Sequence, residues 1–498
     1  MNWKKSLSFL LILVLTLSLT ACSGKKSDET TSPEVTTEEE EPTAEATPTP
    51  VVEYAPPVVD LEGYTFVVAD VNPNRWEPEE GSSDTANAIL ARNKWVEETY
   101  NCKIEYRNHN ADEFATAVMS GDKYADIIVC PTWEIGRHIN SKRIMDINKV
   151  PNIDLTQSYW TDYNNVNLLS YDGRTYGVGA PFASQSDEVF VMFFNKAIIE
   201  ELGLESPYDL VEKNEWTFDK FLEYEKAASK DLNGDGVMDY NDRFGFAAGH
   251  DWDVSVVLYL ASGNTIMKQD GDKLSYGVNT PEAFEAINQI KDMVKLGDTF
   301  YPKKEGSEMD AYVKAFVDGK ALFYTYSRGR GVADPIYEMK DDFGIVPIPR
   351  GNNTDTYKNW VSHDAPSLAV PVTNPDIEKT GIVLEALAYA SQAENQIAFD
   401  EFAATKLRDD ESVVMLEQMN QYATSDLTFI GQQMVGAIYG GLAVIPDVCF
   451  FDPSLEIASK VAEIEESVQI GMDEFIQRIN GTFIEPTPAA TVEETDEE

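Results

Sequence analysis

Cysteine is scarce in this 498-residue chain, with four in all. One of them, Cys22, lies at the end of the leading apolar segment. The remaining three, Cys102, Cys130 and Cys449, form no Cys-x-x-Cys pair, so at most one disulfide closes and the fold must rest on its apolar core. Histidine is equally sparse. His109, His138, His250 and His363 stand far apart in the sequence, which argues against a histidine-based zinc site. Basic residues are outnumbered, 39 against 86 acidic ones, for a formal charge of −47. A surface this acidic repels phosphate backbones and anionic headgroups, so nucleic acid is a poor partner and none is expected, though acidity serves solubility equally well. There is no Gly-x-Ser-x-Gly, no His-Glu-x-x-His and no phosphate loop, and neither an internal repeat nor a heptad array.

One apolar run stands out, Leu7 to Leu19, preceded by Lys4 and Lys5 and followed by "LTAC". It is too short for a membrane span of about 20 apolar residues and reads as an export signal over residues 1–21. The "LTAC" ending resembles a lipobox, which implies that Cys22 is lipidated and becomes the first residue of a mature protein anchored to the cell membrane. Residues 22–58 are rich in Ser, Thr, Glu and Pro and bury too little to offset their ordering entropy, so a disordered tether is expected; the acidic stretch 483–498 has the same character.

From Tyr64 short apolar runs alternate with amphipathic helices, the pattern of an α/β chain. "YTFVVAD", "CKIEYRN" and "YADIIVC" read as strands. Between the first two, "DTANAILARNKWVEETYN" sets Ile89, Leu90, Val96 and Tyr100 on one helical face. Farther on, Thr217 and Thr280 are placed to cap helices, Asn374 is placed to cap "NPDIEKTGIVLEALAYASQ", and a long helix is expected over 453–480 with Leu455, Ala458, Val461, Val468, Phe475 and Ile479 facing inward.

The phrases "VMFFNKAIIEELGL", "NEWTFDKFLEYEKAASK", "FVDGKALFYTY" and "SLAVPVTNPDIEKTGIVLEALAYAS", in this order behind a lipobox, resemble extracellular solute-binding proteins of family 1, the sugar-binding receptors of ABC importers. The resemblance implies an α/β, two-lobed periplasmic-binding-protein-like fold (type II), each lobe a sheet flanked by helices, joined by crossing hinge strands. Lobe 1 is then expected over 59–185 plus 345–378 and lobe 2 over 186–344 plus 379–482, with crossovers near "GAPFASQSDEV" and "IVPIPRG". It further implies a monomer that captures an oligosaccharide or other small polar ligand between its lobes and presents it to a membrane permease. A surface glycoside hydrolase is the alternative, though any carboxylate pair among so many acids carries no weight.

Sugars offer apolar C–H faces fringed by hydroxyls, so their sites pair aromatic platforms with Asp, Asn, Glu and Arg, at loops following strands. Four segments meet that description: Asp70, Asn72, Arg75 and Trp76; Thr132, Trp133 and Glu134; Asp251, Trp252 and Asp253; Tyr326 and Arg328. Trp360 with His363 and Asp364, and Gln185 with Asp187, are further candidates. Trp95 and Trp216 read as packing.

"DLNGDGVMDYND" sets Asp231, Asn233, Asp235, Asp239 and Asp242 at positions 1, 3, 5, 9 and 12 of a calcium loop, with Gly236 at the sharp turn and the Val237 carbonyl at position 7. A metal-free acidic turn is the alternative reading. A strand, not a helix, follows the loop, so the expected Ca²⁺ is a structural staple and not a sensor.

Overall fold

The computed structural model describes residues 56–161, 170–183, 185–248, 251–295, 297–301, 310–329, 335–421, 423–424 and 426–484. Cys22, the export signal and nearly all of the tether and acidic tail lie outside them. Among the described residues no helix is long and apolar enough to cross a membrane.

In chain order the elements that position the site are β1 (Tyr64–Asp70), α1 (Asp84–Tyr100), β2 (Cys102–Asn108), α2 (Ala111–Ser120), β3 (Ile127–Pro131), α3 (Thr132–Asn140), β4 (Val178–Gly179), β5 (Phe190–Asn195), α4 (Phe218–Ala228), β6 (Phe244–Ala248), α5 (Asp251–Ala261), β7 (Ala321–Ser327), β8 (Phe343–Val346), β9 (Pro366–Ala369), α6 (Ile377–Lys406), α7 (Thr428–Met434), α8 (Gly436–Pro446) and α9 (Ile457–Ile479). One sheet has the order β2-β1-β3-β9-β4. Its β1, β2 and β3 are parallel, and β9 returns antiparallel beside β3. The other sheet has the order β8-β5-β7-β6, with β7 parallel to β6 and antiparallel to β5. All four strands of this second sheet are buried along their whole length, as expected where helices cover both faces.

Local chemistry explains most helix limits. Ser83 caps α1 through the Ala86 N–H, and Asn101 in the left-handed region ends it. Of the expected inner face, Ile89, Val96 and Tyr100 are buried and Leu90 half-buried. Thr217 caps α4, and Thr280 caps the helix Pro281–Met293, both as expected. Asn374 does not cap α6. Its amide donates to Asp126 O and Thr380 Oγ1 while its own oxygen takes the Asp376 N–H, and the helix starts two residues later, after Asp376. In α9 the inward stripe begins at Ile457, leaving Ala458 exposed.

The two lobes divide differently from the expected boundaries. β8 lies inside the second sheet, and Arg350 still pairs with Trp216 and Thr217 there, so the return crossing is made by 359–365 and not at 345–351. α6 runs to Lys406 and packs on α1 of the first lobe through the Arg92–Glu394 ion pair and the Trp95–Tyr389 ring contact. Cys102, Cys130 and Cys449 are all free and buried.

Candidate functional site

Where the chain passes between lobes, two segments run antiparallel. Val189 bridges Val361, Ser362 N–H donates to Glu188 O at 2.8 Å, and Arg328 N–H donates to Val189 O at 2.8 Å. Val189, Val361, Ala365 and Ala423 form a small apolar knot of their own around this crossing. The returning segment then docks on the start of α3. The backbone N–H groups of Thr132 and Trp133 donate to Ala365 O and His363 O at 2.9 and 3.2 Å.

This docking gathers several of the expected residues. The Trp133 indole N–H donates to Asp364 Oδ1 at 3.1 Å, and Arg137 covers the same ring at 5.5 Å. His363 lies 6.0 Å from Trp252 at the start of α5, and it stacks on Phe429 of α7 at 5.6 Å with an interplanar angle of 4°. Trp360 packs on the other side of this group, 4.2 Å from Phe429. Trp133 and Trp252 are half-buried, whereas Trp360 is only 3 % exposed and therefore supports the cluster from within. The His363 and Asp364 side chains keep 24 % and 41 % of their surface open. Aromatic faces, a carboxylate and an imidazole thus meet where α3 of one lobe approaches α5 and α7 of the other. The side chains of Asp251 and Gln185 lie outside the described residues.

The other expected residues fall elsewhere. Tyr326 is buried against Phe190, 5.7 Å between ring centroids. Arg328 pairs with Asp187 of the first crossing and lies over Phe402 of α6 at 4.4 Å, a contact between a strand of one lobe and a helix of the other. Thr132 is committed to holding β9, with its hydroxyl 3.0 Å from Ala365 O and 2.8 Å from Ser367 Oγ. At the end of β1 the buried Asp70 carboxylate takes Arg75 Nη1 at 3.0 Å and the Trp76 indole N–H at 2.9 Å, while Asn72 caps the short turn Pro73–Arg75. Trp76 is 2 % exposed, lies against Phe182 at 5.0 Å and is covered by the Arg92 guanidinium at 5.2 Å. It braces the first crossing. Beside it a groove between α1 and β2, lined by Leu90, Asn93, Ile104 and Tyr106 among others, has a volume of about 210 Å³ and shares no lining residue with the aromatic cluster.

Phe429 and Phe402 escaped the sequence reading because they lie within helices, and Phe182 because it stands after a strand of only two residues, with no polar group beside it. Glu134, expected to face outward beside Trp133, turns inward instead. His109 and His138, distant in sequence, converge on it with Nε2–Oε1 separations of 3.5 and 3.2 Å. Burial alone would raise the Glu134 pKa, but the two imidazoles outweigh it and hold the carboxyl at about 2, while burial lowers His138.

In the 231–242 loop the expected side chains all turn toward backbone N–H groups. Asp231 takes Gly234 and Gly236 at 2.6 and 2.8 Å, Asn233 takes Asp235 at 2.8 Å, and Asp235 takes Val237 at 2.8 Å. Asp239 takes Asn241 at 2.8 Å, and Asp242 takes Leu232 and Asp239 at 2.9 and 2.8 Å, which keeps its carboxyl below the usual range. Gly236 sits at φ 82°, the left-handed turn that the sixth position demands, and paired backbone hydrogen bonds between Lys230 and Arg243 close the loop. The donor types and spacing fit a hard cation. Among the described residues, however, the one group of three His, Cys, Asp or Glu side chains gathered within 4.8 Å is His109, Glu134 and His138.

Among curated proteins no sequence match is found. Solved structures are similar in fold. The cyclic α-maltosyl-1,6-maltose binding protein of Arthrobacter globiformis matches at TM-score 0.57 with 14 % identity, over 82 % of this chain and 99 % of that one. The GacH receptor of Streptomyces glaucescens, determined unliganded and with acarbose, matches at 0.55 with 13 % identity, over 83 % and 99 %. An ABC substrate-binding protein of Listeria monocytogenes in complex with cycloalternan matches at 0.54 with 12 % identity, over 83 % and 100 %. The family model described as bacterial extracellular solute-binding protein spans residues 76–397, most of the folded region, and this two-lobed chain therefore belongs to that family of binding proteins.

Proposed function

We propose that the chain is a receptor of an ABC importer that captures a carbohydrate, an oligosaccharide in particular, between its lobes and presents it unchanged to a membrane permease. The observation that carries this reading is the half-buried pair Trp133 and Trp252, held by Asp364 and His363 where the lobes meet. Each ring offers a flat apolar face with a polar neighbour, which is what a sugar ring requires. Because the platforms come from opposite lobes, a guest touching both favours the closed arrangement, and a permease can read that closure. The three sugar-binding proteins of similar fold lend support to the ligand class.

Two further elements belong to the proposal. Cys22 carries the lipid that holds the receptor at the cell membrane through residues 22–58. Ca²⁺, where bound, is held by Asp231, Asn233, Asp235, the Val237 carbonyl, Asp239 and Asp242, and neutralises the crowded carboxylates of that loop.

The test is a thermal-shift and calorimetry screen of the purified chain against linear and cyclic oligosaccharides, with and without calcium chelator. A guest that raises the melting temperature and is recovered intact supports the receptor. Turnover of the guest, or binding unaltered by Trp133→Ala and Trp252→Ala together, refutes it. Loss of acyl labelling and membrane retention in Cys22→Ser tests the anchor.

A further inference from the structure

His109 follows β2, and its backbone N–H is fixed to Asp70 O at 2.9 Å. Glu134 and His138 lie one helical turn apart on α3, so their side chains emerge on the same face. The three side chains are 2 %, 8 % and 0 % exposed. Phe114 and Tyr124 wall them in, with Phe114 4.8 Å from His138 and Tyr124 6.0 Å from His109 between ring centroids. Within that apolar box all four ring nitrogens and Glu134 Oε1 find no partner of hydrogen-bond geometry among the described residues. Buried polar groups nearly always find partners, and leaving several bare together costs several kcal/mol. Oε1 could accept from both Nε2–H groups, but neither contact has hydrogen-bond geometry, and both Nδ1 atoms would stay bare in any case.

A cation bound by both Nε2 atoms and Oε1 satisfies three of these five atoms at once and leaves only the two Nδ1 positions. A tetrahedral ion with ligands at about 2.0–2.1 Å keeps those ligands about 3.3 Å apart. Here each Nε2 stands 3.5 or 3.2 Å from the same Oε1, and all the ligand atoms fall within 4.8 Å. Two imidazoles and a carboxylate suit a borderline divalent metal and not calcium.

We propose that His109, Glu134 and His138 bind one zinc-class divalent cation, through Nε2 of each histidine and Oε1 of the glutamate. Three protein ligands leave the fourth position to a small ligand such as water. The consequence for the receptor is positional. The ion ties β2 to α3, the helix that carries Trp133 and meets α7 so closely that a Cβ on Gly136 would lie 2.1 Å from Ile430 O.

The experiment is to refold the chain from denaturant with zinc, strip loosely held metal with a moderate chelator in calcium-containing buffer, and count retained zinc by mass spectrometry. About one zinc per chain is expected, falling at least about tenfold in His138→Gln and Glu134→Gln variants whose circular dichroism is unchanged. Cobalt in place of zinc should give the intense visible bands of tetrahedral nitrogen and oxygen coordination. Zinc-free wild-type protein, equal retention by folded variants, or a cobalt spectrum of six oxygen ligands overturns the proposal. Should the variants not fold, the wild-type stoichiometry and cobalt spectrum still decide it. None of these readouts depends on a bound solute, so the receptor reading stands or falls separately.

Discussion

Removing the acceptor from the Arg92–Glu394 pair is expected to unsettle the first lobe. The two side chains meet at 2.6 Å and are only 1 % and 7 % exposed. The guanidinium also donates to Arg75 O at 2.9 Å and lies between Trp76 and Phe182, at 5.2 and 5.9 Å. Burial pushes the Arg92 pKa down and the Glu394 pKa up, each against the pull of its partner. Glu394→Leu keeps the volume and leaves a cation in an apolar pocket. Breaking such a pair costs about 3–5 kcal/mol, and the remaining bonds to Arg75 O and Asn93 Oδ1 place this case near 3. Replacing both partners, as Arg92→Met with Glu394→Leu, removes the stranded charge and should restore more than half of the loss. Urea unfolding followed by tryptophan fluorescence reads the effect, since Trp76 sits in the network. The single variant should lower the midpoint without changing the slope. A Glu394→Leu variant within about 0.5 kcal/mol of wild type would refute the reasoning, as would a double variant less stable than the single one.

The Glu225 carboxyl is fully buried, and desolvation pushes its pKa well above the ordinary value of 4.5. The folded state therefore holds a proton that the unfolded chain releases above about pH 4.5, so stability declines as pH rises from there through the folded pKa. Glu225→Gln should flatten that decline, by up to about 1.4 kcal/mol per pH unit, in melts recorded from pH 5 to 8. Trp133→Ala should weaken binding of any guest found in the oligosaccharide screen by about tenfold, read by calorimetry, with little change in melting temperature of the free chain. A Cβ on Gly381 would fall 1.7 Å from Pro151 O, so Gly381→Ala should destabilise by about 1–3 kcal/mol despite alanine's better helix propensity. Removing calcium with chelator should lower the melting temperature, and Asp235→Ala should abolish that difference.

What could be read along the chain was governed by short-range physics. β1 and β2 match "YTFVVAD" and "CKIEYRN" residue for residue, because a buried parallel strand is an uninterrupted apolar or alternating run bounded by caps. The caps at Thr217 and Thr280 were equally legible, since a side-chain oxygen needs only the N–H three residues on. Asn374 had the right side chain in the right place, yet Thr380 and Asp126, brought there by folding, took its amide. The extension of α6 to Lys406 was hidden because its second half gains stability from α1, 300 residues earlier, and not from its own pattern.

The sequence by itself determined the family, the two-lobed α/β order and the strands, because periodicity, capping and phrase order are properties of neighbours. Only the tertiary structure decided which aromatic residues face a guest and which brace the hinge, since Trp76 and Trp133 follow strands in the same way and differ only in what packs on them. It also decided that His109 and His138 share one carboxylate. Spacing along a chain cannot report that convergence. The distance between a loop and a helix is set by the sheet and core between them, and that distance exists only once both have folded.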